Sequence, residues 1–233
     1  GAETVVALTE RAGVTAGVVF QHRFRESSEA LRRLLSQGAL GRIATVQLDV
    51  PWWRPQSYYD EPGRGTLARD GGGVLITQAI HSMDLMLSLT GPVASVQAVA
   101  GTSALHAMES EDFVGAGLVF ENGALGGLLA TTSFRPGLTE KLVLAGTAGT
   151  AVLAGSQLDI HKLDGTTETI GEVLPGGGGA DPLPGLAGSL SVFLQGDTTL
   201  EAEPHGTLAQ AHHLHAPVDV ALQRAESRGE GRT

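Results

Sequence analysis

Four polar residues, Thr77, His81, Asp84 and Ser88, have a spacing that could support chemistry. At about 100° per residue they fall within one narrow stripe of a helix. The opposite face is apolar and consists of Leu75, Ile76, Ala79, Met83, Met86 and Leu87. His81 is the one member of the stripe that ordinarily titrates near neutral pH, so it is the candidate proton donor or acceptor. From spacing alone, the alternative is an amphipathic helix whose polar face meets water.

Three consecutive glycines, Gly71 to Gly73, directly precede this helix. Because they lack side chains, they leave room for a ligand, or for another segment of the chain, to approach the helix N-terminus. The N–H groups at a helix N-terminus favour negative charge or an oxygen-rich ligand. The pattern therefore indicates either a ligand site or a close chain contact.

Aromatic residues crowd into the segment just before these glycines. Both tryptophans and both tyrosines of the chain lie there, as Trp52, Trp53, Tyr58 and Tyr59. Arg54 lies among them and Arg64 lies nearby. Aromatic faces and arginine forks suit a hydroxyl-rich or anionic small ligand. A loop pinned to the core by its aromatic residues, or a subunit interface, explains the same pattern.

The residues needed for thiol chemistry, for dinucleotide binding and for metal binding are missing or incomplete. The chain has no cysteine, which excludes a thiol nucleophile, a disulfide framework and cysteine-ligated metals. No Gly-x-Gly-x-x-Gly follows a strand and opens a helix, so we expect no tight dinucleotide binding by these residues alone. His212 and His215 lie one helical turn apart, but no carboxylate is placed to complete a site, so we expect no functional metal.

The overall charge argues against nucleic acid as a partner. The net charge is −10, and the 15 basic residues are scattered singly, whereas a nucleic-acid surface needs a basic patch. No apolar run approaches the roughly 18 residues that a membrane span needs. We therefore expect neither a nucleic-acid partner nor a membrane partner. A chain without cysteine is compatible with the cytoplasm, where we expect the protein.

The elements that position these residues follow from hydrophobic periodicity. Helices are predicted at 3–12, 27–37, 74–89 and 207–228, with Ser27 or Ser28 capping the second and Gly38 ending it. Strands are predicted at 16–20, 42–50, 93–100, 112–120, 125–133, 141–146, 150–153, 157–161 and 166–170. Residues 51–73 and the Gly/Pro-rich residues 171–188 are predicted loops, and Glu121-Asn122-Gly123 is a hairpin signal. The predicted fold class is α+β: a large, mostly antiparallel open β-sheet with helices packed on one face.

The stretch from Asp70 to Leu85 combines the glycine run with a His-x-x-Asp pair. Shorter motifs occur in order around it: Gly38-Ala-Leu-Gly41, Trp53-Arg54, Tyr58-Tyr59, Arg64-Gly65-Thr66, Glu109-Ser-Glu111-Asp112, Phe120-Glu-Asn-Gly123 and Gly146-Thr-Ala-Gly149. With them, the chain from Gln21 to about Thr150 resembles the C-terminal domain of the glucose–fructose oxidoreductase/inositol dehydrogenase (Gfo/Idh/MocA) family. Each motif is short, and the ordered set is specific.

The resemblance implies an activity and a division of the chain. Members of the family transfer hydride between a substrate carbon and NAD or NADP, which an N-terminal dinucleotide-binding domain holds. Residues 1–22 resemble the last helix and strand of that domain, and residues 23–233 resemble the substrate-binding and oligomerisation domain. The resemblance therefore implies a carbohydrate-like small-molecule substrate and a homo-oligomer formed through the sheet. It also implies a dinucleotide-binding half, with a catalytic Glu-Lys-Pro lysine, outside these residues.

The resemblance also assigns site residues. The histidine of the family matches His81, which implies a catalytic acid/base role. The implied substrate-binding residues are Arg23, Trp53, Arg54, Tyr59, Arg64, Thr77, Gln78 and Asp84. No residue of this chain is assigned to the cofactor or to a metal. Two positions depart from the family: Thr77 stands where many sugar and polyol members have Asp, and Gly63 stands where an aromatic often precedes the arginine.

These departures keep an alternative function open. Thr77 cannot ionise, so a carboxylate-assisted mechanism is in doubt at that position. A non-catalytic ligand-binding or regulatory protein, or an oligomerisation module on the same scaffold, is the alternative to the enzyme.

Overall fold

The computed structural model of the chain describes residues 2–14 and 19–171. Helix α1 (Ala2–Ala12) confirms the predicted helix at 3–12. The predicted strand at 16–20, the loop at 171–188, the helix at 207–228 and the tail histidines lie wholly or largely outside the described residues. No helix in the described ranges has both the length and the apolar character needed to cross a bilayer.

Eight strands form one sheet. They are β1 (Ile43–Pro51), β2 (Val93–Gly101), β3 (Phe113–Phe120), β4 (Leu125–Thr131), β5 (Lys141–Gly146), β6 (Gly149–Ala154), β7 (Gln157–Lys162) and β8 (Thr167–Ile170). Their spatial order is β2-β3-β4-β1-β5-β6-β7-β8. In the described chain β1 and β4 pair in parallel, and the other neighbouring strands pair antiparallel. The predicted α+β class with a mostly antiparallel open sheet is confirmed.

Strand β1 lies at the centre because two meanders flank it, β2-β3-β4 on one side and β5 to β8 on the other. Its sequence alternates, so Val46, Leu48 and Val50 are buried while Thr45 and Gln47 face solvent on the open side. The helices α2 (Glu26–Ser36) and α5 (Ile80–Thr90) pack over the buried side. The predicted aromatic residues begin at Trp52, directly after the carboxyl end of β1.

The predicted capping of α2 is wrong. The helix begins at Glu26, after an extended Arg25 that makes no side-chain capping bond. Ser27 and Ser28 lie inside the first turn, and their hydroxyls are buried without a hydrogen-bond partner among the described residues. The physical reason is helical phase: Ser27 lies one turn before the fully buried Leu31, so it shares the core-facing side of the helix.

The predicted loop at 51–73 contains two short helices, α3 (Gln56–Tyr59) and α4 (Leu67–Asp70). Four residues are too few to establish a hydrophobic period, so the sequence pattern does not reveal them. Thr66 caps α4 by accepting a hydrogen bond from the backbone N–H of Arg69. Residues 51–73 are therefore partly helical rather than an extended connection.

The predicted helix at 74–89 is present but is not a uniform α-helix. It opens with a π-helical turn (Leu75–Ala79) and continues as α5, which ends at Thr90 before Gly91 with φ of 84°. A π-turn holds more residues than an α-turn and changes the angular offset of the residues around it. The four predicted polar residues do not share one environment, since Thr77 is exposed whereas Asp84 is fully buried.

The hairpin predicted at residues 121–123 is confirmed. Gly123 has φ of 84°, which only glycine adopts without strain, and its N–H donates to the carbonyl of Phe120 at 2.9 Å. The Asn122 side chain accepts from the N–H of Ala124 and donates to the carbonyl of Thr90. The turn between β3 and β4 is thereby tied to the end of α5.

Truncation of Leu144 should test this core. Leu144 lies on β5 opposite Val46 of β1 and is fully buried. Leu144→Ala should lower the free energy of unfolding by about 2–5 kcal/mol in urea denaturation, because a cavity replaces packed methyl groups. The control Leu163→Ala, at a side chain 78% exposed, should change it by less than about 0.5 kcal/mol. Equal effects would contradict the placement of the core.

Candidate functional site

The aromatic segment, residues 52–59, is fastened to the end of β4. The backbone N–H groups of Trp52 and Arg54 donate to the carbonyls of Thr131 and Thr132, each at 2.9 Å. The segment therefore runs beside the strand end as a short additional ladder. The backbone of the segment is therefore the pinned loop that was one alternative for this pattern, and Arg54 and Tyr58 reach from it to the π-helical turn.

A chain of side-chain contacts joins the aromatic segment to the π-helical turn. Arg54 Nη2 donates to Gln78 Oε1 at 3.2 Å, and Gln78 Nε2 donates to the Tyr58 hydroxyl oxygen at 3.1 Å. The Arg54 guanidinium carbon also lies 5.5 Å from the ring centres of Trp52 and Tyr58, within the range of a cation–π interaction. Because Gln78 is buried, its amide fixes the segment to the helix.

A cavity of about 230 Å³ lies between the aromatic segment and the start of the helix. Six of its lining residues carry polar groups: Tyr58, Tyr59, Arg64, Asp70, Thr77 and Ser110. Arg64 lies 4.1 Å from the ring centre of Tyr58 and donates two hydrogen bonds to Glu61 Oε2, so one wall is a cation stacked on an aromatic ring. The cavity collects three of the predicted site residues, and its donors and acceptors suit a small hydroxyl-rich molecule.

His81, four residues after Thr77, packs against the rings of Phe20 and His22. The ring centres lie 5.9 Å and 5.5 Å away. His81 Nδ1 is buried and has no hydrogen-bond partner among the described residues. Burial, and next the positive charge of Arg25, lower the pKa of His81. Its imidazole is therefore neutral at neutral pH.

His22 is a second, more deeply buried histidine beside His81. Its Nδ1 lies 3.4 Å from the Ser82 hydroxyl. Burial chiefly, with the charges of Arg25 and His81, lowers the pKa of His22 to about 2. The part of the chain that the structure describes contains no group of three His, Asp or Glu side chains that could hold a metal ion.

Two predicted substrate residues pair with each other. Arg23 Nε lies 2.5 Å from Asp84 Oδ2, and Arg23 Nη2 lies 2.7 Å from Asp84 Oδ1. Burial raises the pKa of Asp84, and the two hydrogen bonds from the guanidinium oppose that rise. Because Asp84 is only 1% exposed, its carboxylate orients Arg23 against α5 rather than lining the cavity.

The glycine run admits a chain segment. Glu111 Oε2 accepts the N–H of Gly73 at 3.0 Å, Oε1 accepts the N–H of Leu75 at 3.4 Å, and the Glu111 carbonyl accepts the N–H of Val74 at 2.9 Å. A Cβ at Gly73 would overlap the Glu111 carbonyl oxygen. Of the two alternatives for this helix N-terminus, the structure shows the close chain contact, and a carboxylate already satisfies the N–H groups.

Sequence reasoning did not assign roles to Glu111 or to His106, which contacts the aromatic segment. His106 Nε2 lies 2.8 Å from the Arg54 carbonyl oxygen, and its side chain is fully buried. A usable signal was Glu109-Ser110-Glu111-Asp112, three carboxylates directly ahead of a buried strand. Carboxylates that enter a core need hydrogen-bond partners, so their positions predict buried polar contacts.

The chain also matches the model of a known protein family. The model described as the GFO/IDH/MocA C-terminal domain matches residues 28–152, which is more than half of the chain. The chain belongs to this family.

Individual relatives cover different shares of the chain. A D-xylose dehydrogenase of Paenarthrobacter nicotinovorans is 30% identical over 96 residues, which are 40% of this chain and 25% of that protein. The WlbA dehydrogenase of Bordetella pertussis, solved with NADH and UDP-GlcNAcA, is 29% identical with a TM-score of 0.74 over 98% of this chain and 66% of its own. A levoglucosan dehydrogenase solved with NADH and levoglucosan has a TM-score of 0.75 at 18% identity, over 92% of this chain and 65% of its own, and shows the fold alone. The chain thus spans a quarter of the first protein and about two thirds of the others.

Substitution of Gly73 should displace Glu111. Gly73→Ala places a Cβ on the Glu111 carbonyl oxygen, so it should lower the free energy of unfolding by about 1–3 kcal/mol. Gly117→Ala is the matched control, since a Cβ there would meet no atom within 4 Å. Urea denaturation measures both variants, and equal stability would contradict the close contact at Gly73.

Acid should destabilise the folded chain through His22. The pKa of His22 is about 2 in the folded chain against an ordinary 6.5, so between those pH values the unfolded chain binds a proton that the folded chain does not. The free energy of unfolding therefore decreases as the pH is lowered, by about 1.4 kcal/mol for each pH unit from this group. From about pH 7 to about pH 5 the native chain should lose more stability than His22→Asn. Identical losses would show that His22 is not buried in its neutral form.

Proposed function

We propose that this chain is the substrate-binding part of an NAD(P)-dependent oxidoreductase. The reaction transfers hydride between nicotinamide and a hydroxyl-bearing carbon of a sugar, nucleotide sugar or polyol. The observation that carries the proposal is the helix that supplies Thr77 to the polar cavity and, four residues later, the neutral His81. The relatives named above, which include a D-xylose dehydrogenase and a WlbA enzyme solved with UDP-GlcNAcA, support this class of substrate.

The proposed role of His81 follows from its protonation state. Oxidation of an alcohol releases the hydroxyl proton, and a neutral imidazole can accept it. Because Nδ1 is buried, we assign the proton transfer to Nε2. In the reverse direction the imidazolium returns the proton to the carbonyl oxygen. Because its pKa is lowered, His81 stays unprotonated, and so able to act as a base, at pH values at which an ordinary histidine is protonated.

The other predicted residues are proposed to bind and orient the substrate. Tyr59, Arg64 and Thr77 do so as cavity walls, and Arg54 and Gln78 hold the aromatic segment against the helix. Trp53 lies on the same segment. Arg23 is proposed to act near His81, with Asp84 fixing its guanidinium. Thr77 Oγ1 donates to the Gly73 carbonyl at 2.8 Å, so it offers a lone pair to a substrate hydroxyl.

The proposed cofactor is NAD or NADP, which supplies the hydride acceptor or donor when bound. The NADH present in the WlbA structure supports a nicotinamide. No Gly-x-Gly-x-x-Gly turn occurs in the 233 residues, so we assign none of them to the dinucleotide. We propose that a separate dinucleotide-binding domain lies outside this sequence, that residues 1–22 border it, and that residues 23–233 form the substrate-binding domain.

The open side of the sheet is proposed to mediate a homo-oligomer. Val99, Val119 and Leu125 are exposed apolar residues on the adjacent strands β2, β3 and β4. Apolar side chains on neighbouring strands form a surface suited to contact with another copy. We propose the cytoplasm as the location, because a chain without cysteine is compatible with a reducing compartment.

A non-catalytic ligand-binding protein is the second candidate. The observation in its favour is Thr77, whose hydroxyl is bonded to the Gly73 carbonyl and cannot ionise. Binding of a sugar to the cavity without nicotinamide reduction would favour this candidate. Binding accompanied by turnover would favour the oxidoreductase.

Replacement of His81 tests the enzyme directly. The product of the complete reading frame is assayed for NADH or NADPH formation from UDP-GlcNAcA, D-xylose and levoglucosan. We expect turnover of at least one hydroxyl-bearing substrate, and His81→Ala should lower kcat by about 100-fold or more, the scale of general acid–base catalysis.

His161→Ala is the matched control for that experiment. His161 is an exposed histidine on β7, bonded to Thr167. Its replacement should leave kcat unchanged. A kcat of native size in His81→Ala would exclude His81 as the acid/base. Absence of turnover of all three substrates by the native protein would count against the proposed oxidoreductase.

A further inference from the structure

A buried, hydrogen-bonded pair of side chains contacts the aromatic segment. His106, in the connection between β2 and β3, places Nδ1 2.6 Å from Oδ2 of Asp112, the residue before β3. Both side chains have zero exposure. Removing one member of a buried hydrogen-bonded pair is costly, because the polar atoms of the other are left without their partner. The pair therefore holds its surroundings rigidly.

The hydrogen bonds of Asp112 identify it as the anion. Its carboxylate accepts from the Ser103 N–H at 2.7 Å, from the Ser103 hydroxyl at 2.6 Å and from the Ser133 hydroxyl at 2.7 Å, besides His106. Burial alone raises the pKa of Asp112, but these hydrogen bonds outweigh it and hold the pKa below its ordinary value. Asp112 is thus a carboxylate, and its Oδ2 accepts a hydrogen bond from His106 Nδ1.

The other ring nitrogen of His106 reaches the aromatic segment. Nε2 lies 2.8 Å from the carbonyl oxygen of Arg54, which can only accept a hydrogen bond. Both ring nitrogens of His106 are therefore held by hydrogen bonds, one to Asp112 and one to Arg54. The ring centres of Trp53 and Tyr59 lie 5.7 Å and 4.9 Å from the centre of the His106 ring, within the range of favourable ring–ring packing.

We propose that His106 is a positioning residue, which holds the aromatic segment in place for substrate binding. It contacts Trp53, Arg54 and Tyr59, three residues assigned to substrate binding, and it fixes the peptide from which Arg54 reaches Gln78. It does not line the cavity and takes no part in proton transfer. This inference rests on the proposed function, since it assigns His106 to the binding of that substrate.

Two amide variants separate the two bonds of the ring. In H106N the amide nitrogen stands near the Nδ1 position, so it can reach Asp112 but not the Arg54 carbonyl. In H106Q the amide nitrogen stands near the Nε2 position and can reach the Arg54 carbonyl. A positioning role predicts that H106N loosens the aromatic segment more than H106Q does. A role confined to the Asp112 pair predicts the opposite order.

Tryptophan fluorescence gives a readout that needs no substrate. Trp52 and Trp53 are the two tryptophans of the 233-residue chain, and both belong to the aromatic segment. Acrylamide quenching should rise in H106N and stay closer to native in H106Q, with H161N as the exposed-histidine control. Quenching in H106N equal to native, or a larger rise in H106Q, would overturn the proposal.

Kinetics of the complete protein give the second readout. For a substrate turned over in the assay above, H106N should raise KM about tenfold, which corresponds to one lost hydrogen bond, with a much smaller change in kcat. A fall in kcat with unchanged KM would overturn the positioning role. If no substrate is turned over, the proposed function fails, and the quenching order still tests whether His106 holds the segment.

A milder variant covers the case in which H106N does not fold. S133A removes one of the hydrogen bonds that hold the Asp112 carboxylate. It should shift quenching and KM in the same direction as H106N by a smaller factor. Native quenching and native KM in S133A would then overturn the proposal.

Discussion

Two consecutive carboxylates, Glu111 and Asp112, hold both halves of the candidate site from one place in the chain. They directly precede β3, where neighbouring side chains point to opposite sides of an extended backbone. Glu111 turns to the helix N-terminus at Gly73, and Asp112 turns to His106 and through it to the aromatic segment. The spacing between the two walls of the cavity therefore depends on the backbone of β3, which β2 and β4 fix on either side. A change in that spacing would alter the distances from both walls to any molecule bound in the cavity.

Two buried histidines of the described chain differ in their hydrogen-bond partners. His81 Nδ1 has no partner among the described residues, and desolvation together with the nearby charge of Arg25 favours the neutral ring. His106 has the Asp112 carboxylate at one ring nitrogen and the Arg54 carbonyl oxygen at the other, so both nitrogens are hydrogen-bonded. The proton exchange proposed for His81 needs a neutral ring with a free nitrogen, whereas the positioning role proposed for His106 needs a ring with both nitrogens held by the protein.

Much of the fold was accessible from the sequence because its elements carry long repeating patterns. The alternation at 42–50 predicts β1, and the Asn-Gly turn predicts the β3–β4 hairpin, since both signals are local. The ordered motifs lead to the family and to His81 as the acid/base candidate. The contacts within the site were not accessible in the same way. The π-turn at Leu75–Ala79, the pairing of Arg23 with Asp84 and the entry of Glu111 at Gly73 depend on residues that meet only after folding.

The proposed function requires a sugar hydroxyl to reach His81, which is not among the residues lining the cavity, from a sugar bound against Tyr59, Arg64 and Thr77. The most direct test is a crystal structure of the complete protein with NADH and a sugar that it turns over. The claim predicts the reacting hydroxyl within hydrogen-bond distance of His81 Nε2 and the rest of the sugar against the cavity walls. A sugar bound elsewhere, with Nε2 of His81 bonded only to protein atoms, would contradict it.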